Sequence, residues 1–276
     1  MPAQQQRVVV KRYFKTDRYT KRQIRYVEVH HHPKIGKKNF KEYLLEGLMI
    51  FFAVSMGFLA ENFREHITNT EKEHEYVNSL IHNLEQDKID ITSTICDNQK
   101  KLIDLDSLLS ILSNNILNPE NKKSLYKYSR MVSFYSSFAS NDATMTQLKN
   151  AGGFQYIRKN HIADSISRYD EVIRSIDAAE APYSKAINDA VNAMSEFLLF
   201  KVWKDTLYFK NGIATNKELP LLSDDPKKIN MLYNKISLER GWTQNYLDNL
   251  QDKLPFTLRL INLLHKESLL SDKSRG

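Results

Sequence analysis

The sequence contains only one cysteine, Cys96, among its 276 residues. An intrachain disulfide is therefore impossible, and redox chemistry by two thiols of the same chain is excluded. The single cysteine does not identify the compartment, because a helical domain of this size can bury a core without disulfides. Cys96 lies within a heptad pattern, so we expect a buried or half-buried structural thiol.

Glycine and proline are also scarce, with 8 and 7 residues respectively. Both residue types interrupt helices and form turns, so their scarcity favours long helices. A hydrophobic content of 41% is sufficient for a sizeable core, but it does not indicate several membrane spans. The composition therefore predicts an all-α protein with one membrane span at most.

Motifs for catalysis or cofactor binding are missing from the sequence. There is no Gly-rich phosphate loop, no His-Glu-x-x-His pair and no Gly-x-Ser-x-Gly elbow. Residues 30–32 are adjacent histidines, but no cysteine or carboxylate at ligand spacing completes a metal site. His66, His74 and His82 recur every eight residues, which places them too far apart along a helix to share one ion. We expect no enzymatic activity, no metal and no cofactor.

One long apolar run is present, at residues 43–61. Thirteen consecutive residues, 48–60, carry no charge, and extension back to Tyr43 adds only Glu46. Eighteen helical residues span about 27 Å, close to the ~30 Å hydrocarbon thickness of a bilayer. The run therefore predicts a transmembrane helix. A buried core helix of a soluble protein is the alternative, and Glu46 as an intramembrane ion relay is a less favoured role for that carboxylate.

The charges around this run are strongly asymmetric. Residues 1–42 contain twelve Lys or Arg and three acids, whereas the twenty residues after the run contain only Arg64 and Lys72 as Lys or Arg. This distribution follows the positive-inside rule with a cytoplasmic N-terminus. A cleaved signal peptide fits poorly, because the charged region before the apolar run would be some forty residues long.

These features predict three regions in a bacterial inner-membrane protein with a single span. Residues 1–42 form a disordered, basic cytoplasmic tail, residues 43–61 the transmembrane helix, and residues 62–276 a periplasmic domain. The tail is expected to bind anionic lipid headgroups and not nucleic acid, since it must lie beside the inner leaflet. The lysines of the tail closest to the membrane are Lys34, Lys37, Lys38 and Lys41.

Small residues lie on one face of the predicted span, where two helices could approach closely. They are Ala53, Gly57 and Ala60. Beyond the span, apolar residues recur at alternating steps of four and three from Phe63 to Ile116, which predicts a continuing helix to about Asn115. Four polar residues interrupt this seam: Thr70, His74, Lys88 and Asn98.

Additional apolar residues widen the seam, which favours packing against several helices over a two-stranded coil. They are Leu80, Ile89, Ile103 and Leu108. Residues 160–206 show the same periodicity, with Pro182 expected to kink or divide that helix. A last helix begins after Asp225 with Pro226 in its first turn. The predicted fold is an elongated antiparallel helical bundle with coiled-coil-like packing, continuous with the transmembrane helix.

Two stretches carry a resemblance to known proteins. The anchor FKEYLLEGLMIFFAV, at residues 40–54, resembles that of uncharacterised single-pass membrane proteins of the Bacteroidota. The stretch QLKNAGGFQYI, at residues 147–157, is similar to a turn found in a related membrane family of unknown function. The resemblance implies a helical envelope protein and no assigned activity. Gly152 and Gly153 within the turn suit a helix that ends near Asn150, where a left-handed residue is needed.

Two functions remain open from the sequence. The first is a structural or interaction protein that oligomerises or docks an envelope complex, with membrane lipids and a second copy or another envelope protein as partners. The second is a sensory or ligand-binding helical module that acts through a partner. Replacement of Asn98 by leucine should stabilise a packed seam, whereas it should abolish binding if Asn98 lines a ligand cavity.

Overall fold

A computed structural model describes residues 39–210, 213–215 and 217–273. These residues form five α-helices, three short 3-10 helices and two strands of two residues each. The all-α prediction is therefore confirmed. The chain divides into two compact units, residues 1–59 and residues 60–276, and the long first helix contributes to both.

In the first unit, the described residues belong almost entirely to helix α1, Phe40–Leu112. This is the one helix of the described chain that is long and apolar enough to cross a membrane. Its most apolar window of 18 residues has a mean hydropathy of 1.8, and none of that window is buried. The segment predicted as a membrane span is thus an exposed apolar helix.

The second unit contains the remainder of α1 and four further α-helices: α2, Pro119–Tyr128; α3, Ala143–Asn150; α4, Asn160–Ser195; and α5, Pro226–Lys273. Asn118 caps α2 by accepting a hydrogen bond from the Glu120 N–H at 2.9 Å, and Pro119 occupies the first turn. Asp225 caps α5 in the same way, accepting from the Lys227 N–H at 2.9 Å.

Pro182 was expected to kink or divide the helix that contains it, but it does not divide α4. The helix contains Pro182 and continues without interruption in its helical assignment to Ser195. A proline removes one backbone hydrogen bond, and a helix of 36 residues with one buried face retains most of its hydrogen bonds and its packing. The two strands β1, Phe209–Lys210, and β2, Ile213–Ala214, form a small antiparallel hairpin before α5.

Paired residues give the direction of each pass through the second unit. Contacts of α1 with α4 advance together along both helices, from Asp87 with Tyr169 to Asn98 with Tyr183, so these two helices are parallel. Helix α5 runs opposite to both. The antiparallel order expected from the sequence is therefore not found between α1 and α4, because residues 134–158, a non-helical stretch followed by α3 and a short 3-10 helix, make the return pass between them.

Two hydrophobic clusters fill the second unit. One joins α1 from Val77 to Ile91 with α3, α4 and the C-terminal half of α5. The other joins the end of α1 with α2, the end of α4, the hairpin region and the start of α5. The two clusters meet where α1 carries buried polar residues, and that region contains the candidate site.

Candidate functional site: a buried polar network beneath a non-helical strap

Residues 134–142 form a non-helical strap that runs along α1 in the opposite direction and also contacts α5. A chain segment without helix or sheet has backbone N–H and C=O groups that need partners elsewhere when they are buried. In this protein the partners are polar side chains projecting from the long helices. The strap and these side chains together define the network.

The first half of the strap is bound by two residues of α1. Lys101 Nζ donates to the Phe134 carbonyl at 2.6 Å. Asn98 Nδ2 donates to the Ser136 carbonyl at 3.0 Å, while Asn98 Oδ1 accepts from the Tyr183 hydroxyl at 2.8 Å. Asn98 and Lys101 are fully buried, whereas the strap residues that they bind, Phe134 and Ser136, are partly accessible to solvent.

The second half of the strap is bound by α5 and α1. The Phe138 N–H donates to the Tyr246 hydroxyl at 2.9 Å. Asp87 Oδ1 accepts from the Asn141 backbone N–H at 2.7 Å and from the Asn141 side chain at 2.9 Å. Asp87 Oδ2 accepts from the Tyr169 hydroxyl at 2.6 Å, and both burial and the negative charge of Asp87 raise the pKa of Tyr169.

An ion pair lies beside the strap, between α1 and α5. Lys101 Nζ is 2.8 Å from Glu239 Oε1, and both side chains are completely shielded from solvent. The contact is close, but neither oxygen of Glu239 has a hydrogen-bond partner in favourable geometry among the described residues. Burial raises the pKa of Glu239 to about 7 despite the opposing charge of Lys101. Burial likewise lowers the pKa of Lys101.

A stack of three tyrosines connects the network to the surface. The rings of Tyr183 and Tyr246 are nearly parallel, with centroids 4.8 Å apart. Tyr135 of the strap stacks on Tyr183 at 5.6 Å and donates a hydrogen bond to Glu180. Burial raises the pKa of Tyr246 to about 12, so its hydroxyl stays protonated at neutral pH.

A crevice opens beside Asp87 between α1, the end of the strap and α4. Its lining includes Asn83, Asp87, Asn141, Tyr169 and Asp170. The empty space is about 310 Å³ when the part open to solvent is included, but only about 20 Å³ can hold the centre of a water molecule. That is room for one or two water molecules and not for a metabolite.

The four polar positions predicted in the seam do not form one site. Asn98 is buried at the centre of the network, whereas Lys88 is half-exposed and pairs with Glu85 at 3.0 Å. The Thr70 hydroxyl donates to the His66 carbonyl one turn earlier at 2.7 Å. His74 is half-buried on α1. None of these four residues lines the crevice beside Asp87.

The glycine pair predicted to end a helix lies directly after α3. Gly152 has a φ of 69°, in the left-handed region, and α3 ends at Asn150. A Cβ on Gly153 would lie 2.9 Å from Leu148 Cα and 3.2 Å from Tyr76 Cζ. Gly152 thus provides a backbone conformation, while Gly153 provides space for close packing.

The other predicted positions are exposed or lie outside the described residues. Ala53, Gly57 and Ala60 are exposed on α1, as is Lys41. Lys34, Lys37 and Lys38 of the basic tail lie outside the described residues. Cys96 is also exposed, so the expectation of a buried or half-buried thiol is wrong. Its side chain lies on the face of α1 opposite the core.

Three buried charges, Asp87, Lys101 and Glu239, were not predicted from the sequence. The buried face of α1 follows a second series of positions with alternating steps of four and three. Every second member of this series belongs to the predicted seam, and each of the others lies one residue before a seam position. Its buried members are Leu80, Leu84, Asp87, Ile91, Thr94, Asn98, Lys101, Leu105, Leu108 and Leu112. This series contains Asp87 where the predicted seam contains Lys88. The signal was present in the spacing, but charged residues are normally assigned to the solvent face.

The described residues include no group of three or more His, Cys, Asp or Glu side chains that could hold a metal ion. Compared with known protein families, curated proteins and solved structures, the chain matches none.

Proposed function

We propose that this protein is a membrane-anchored structural or interaction protein of the bacterial inner membrane. In this proposal the N-terminal tail is cytoplasmic and contacts anionic lipids, and residues 62–276 form a periplasmic helical bundle with coiled-coil-like packing. The domain oligomerises or docks an envelope complex, and it performs no catalysis. The observation that carries the proposal is the fully exposed apolar window of α1.

That window requires a cover. Large apolar side chains are exposed throughout it, for example Phe51 at 62% and Phe58 at 68%. Removal of apolar surface from water contributes about 25 cal/mol per Å², so a bare apolar helix of this length is strongly unfavourable in water. A lipid bilayer supplies the cover, and the twelve Lys or Arg of residues 1–42 favour the cytoplasmic side for the N-terminus.

The use of the buried polar groups supports a structural role. Lys101, Asn98, Tyr246 and Asp87 each bind a backbone group of the strap. Hydrogen bonds of this kind hold one segment in one position, because a buried polar group that loses its partner is costly. The network therefore stabilises a defined surface for contact with a partner.

The crevice beside Asp87 favours a second candidate, the sensory or ligand-binding module. Its lining joins acidic and amide side chains, such as Asp87 and Asn141, with apolar ones, such as Met145, so a small amphipathic compound would suit it. The space present admits only one or two water molecules, so a ligand would have to displace the end of the strap. Such displacement would break the hydrogen bonds between Asp87 and Asn141. We therefore place this candidate second.

Topology is tested with the full chain in a bacterial host. Alkaline phosphatase, active only in the periplasm, and a fluorescent protein that folds only in the cytoplasm are each fused after Gly276. The proposal predicts phosphatase activity without fluorescence. A control variant with the basic residues of 1–41 changed to glutamine should lose this strong bias. Fluorescence without phosphatase activity in the unaltered chain would contradict the proposed orientation.

The two candidate functions are separated by two measurements on the full chain in detergent. Affinity purification from native membranes, followed by mass spectrometry, should recover the chain with further copies of itself or a defined envelope protein. Thermal unfolding against a panel of small polar compounds should show no concentration-dependent stabilisation. A reproducible stabilisation that is lost in Asp87→Asn would favour the ligand-binding module instead.

A further inference from the structure

Two segments of the second unit that are distant in sequence are strongly basic. Residues 121–141 contain four Lys or Arg and no acid, and residues 197–210 contain three Lys and one acid, Asp205. Together they carry a net charge of +6, whereas the rest of residues 60–276 holds 21 Lys or Arg against 28 acids. The positive charge of the second unit is therefore concentrated in these two segments.

Tyr126 joins the two basic segments. Its backbone carbonyl accepts a hydrogen bond from Trp203 Nε1 at 3.1 Å, and its hydroxyl accepts one from the Leu199 N–H at 3.0 Å. The rings of Tyr126 and Trp203 also meet edge to face, with centroids 6.4 Å apart. Tyr126 is fully buried by these contacts and by the core around it. The end of α2 is thus packed on the short 3-10 helix Phe200–Trp203.

Only cations are exposed where the two segments meet. In residues 121–132 and 197–205 every other residue is buried or half-buried, and the four exposed residues are Lys127, Arg130, Lys201 and Lys204. We name these four residues the basic surface. The first two are three residues apart, as are the last two, so each pair lies on one side of its helical turn.

The protein does not neutralise the basic surface. Lys122, in the same segment, pairs with Glu218 at 2.9 Å, but no such ion pair involves the four cations of the basic surface among the described residues. The carboxylate of Asp205 accepts a hydrogen bond from the Leu207 N–H at 2.9 Å. Like charges held close together repel each other, so an anionic partner that neutralises them is favoured.

The basic surface offers charge and no exposed apolar residue. Its aromatic rings are used in packing, since Trp203 stacks on Phe200 at 4.9 Å and Phe209 is buried. The outward face of α1 differs, because Ile89 and Ile103 are 58% and 67% exposed there. These two residues were expected to widen the core stripe, and that expectation is wrong. Protein interfaces normally have an apolar centre, so the basic surface fits a polyanion better than a protein.

The place of the basic surface along α1 indicates which polyanion it meets. Tyr126 and Val202 belong to the hydrophobic cluster that contains the end of α1, Leu105 to Leu112. About fifty residues of α1, ~75 Å of helix, separate this end from the end of the proposed membrane span. The choice of partner rests on the proposed function, because a periplasmic second unit meets the cell-wall polymer, peptidoglycan. We propose that the basic surface binds the free carboxylates of the peptides in this polymer.

Isolated peptidoglycan provides the test. The full chain, in nanodiscs of uncharged phosphatidylcholine, is mixed with purified cell-wall sacculi and sedimented. Because the basic tail could bind the same polymer, the basic residues of 1–41 are glutamine in every protein compared, including the parent. Glutamine at all four positions of the basic surface should weaken binding at least about tenfold, since several cations close to an anionic surface act together. Binding by the parent should also weaken as salt is added.

A matched control removes the same number of charges from exposed positions elsewhere on the second unit: Lys100→Gln, Arg168→Gln, Arg259→Gln and Lys266→Gln. It should bind within about twofold of the parent, because salt screens charges that lie far from the polymer. Sacculi whose carboxylates have been amidated should bind the parent no better than the variant of the basic surface. Circular dichroism and thermal unfolding verify that each variant is folded, as expected at exposed positions.

Three results would overturn the inference. They are no sedimentation of the parent with sacculi, an equal loss of binding in the surface variant and the matched control, and tighter binding of the parent to phosphatidylglycerol vesicles than to sacculi. The fusion assay is independent. A periplasmic reporter without binding to sacculi removes this inference and retains the proposed topology, whereas a cytoplasmic reporter removes both the topology and peptidoglycan as the partner.

Discussion

Lys101 of α1 and Glu239 of α5 face each other inside the protein, with Nζ 2.8 Å from Oε1 and both side chains completely buried. The same ammonium group donates to the Phe134 carbonyl of the strap. One lysine therefore joins two helices and the strap. Neither carboxylate oxygen of Glu239 accepts a well-aligned hydrogen bond from the described residues. The attraction between the two charges therefore dominates what the pair contributes to stability.

Removal of one member of this pair should destabilise the protein strongly. Lys101→Met leaves a buried carboxylate without its counter-charge, and we expect a loss of about 3–5 kcal/mol in the free energy of unfolding. The double variant Lys101→Met with Glu239→Leu should recover most of that loss, because no buried charge remains. Urea unfolding followed by circular dichroism measures both, with Lys100→Met at an exposed position as the control. A double variant no more stable than Lys101→Met would contradict this account.

The stability of the protein should depend on pH through Glu239. Its folded-state pKa of about 7 lies above the ordinary value of 4.5, so the folded state holds this proton more tightly than the unfolded state does. This contribution is complete below pH 4.5 and is lost as the pH rises towards 7, with a slope of at most about 1.4 kcal/mol per pH unit. Urea midpoints should fall across this range relative to those of Glu239→Gln. Parallel pH profiles for the two proteins would exclude the effect.

Replacement of Asn98 by leucine should destabilise the protein, the reverse of the expectation from the sequence. The leucine would leave the Ser136 carbonyl and the Tyr183 hydroxyl without their partner in the core. Unsatisfied buried groups cost about 1–3 kcal/mol each, more than the leucine gains by packing. Asn245→Leu, on exposed surface of α5, is the matched control and should change stability by less than about 0.5 kcal/mol. Thermal and urea unfolding would both report the difference.

Three glycines should respond differently to alanine. Gly153→Ala should cost about 1–3 kcal/mol, because the new Cβ would lie 2.9 Å from Leu148 Cα. Gly152→Ala should cost about 1 kcal/mol, because its φ of 69° is unfavourable for residues with a Cβ. Gly241→Ala, in α5 with no atom within 4 Å of the added Cβ, should stabilise by about 0.5–1 kcal/mol. A urea midpoint for Gly241→Ala below that of either other variant would contradict this account.

Local signals in the sequence were sufficient for the helices themselves. Asp225 with Pro226 correctly predicted where α5 begins. Such caps act within one turn, so their effect can be read from neighbouring residues. Helix α2 ends at Tyr128, and the strap follows after one short 3-10 helix. The strap is held by side chains that are far from it in the sequence, so the residues of the strap themselves carry no pattern that predicts it.

The sequence by itself determined the helical class, the apolar segment of α1 and the periodicity of its packed face, because these depend on residue spacing of 3.6 and on composition. Only the tertiary structure decided which of two nearly equivalent frames faces the core. That choice buries Asp87 and Lys101 and leaves Lys88 half-exposed. The two frames share every second member, and the other members differ by one residue, about 100° around the helix. The strap and α5 select between them, because they supply the partners without which buried charges would be too costly.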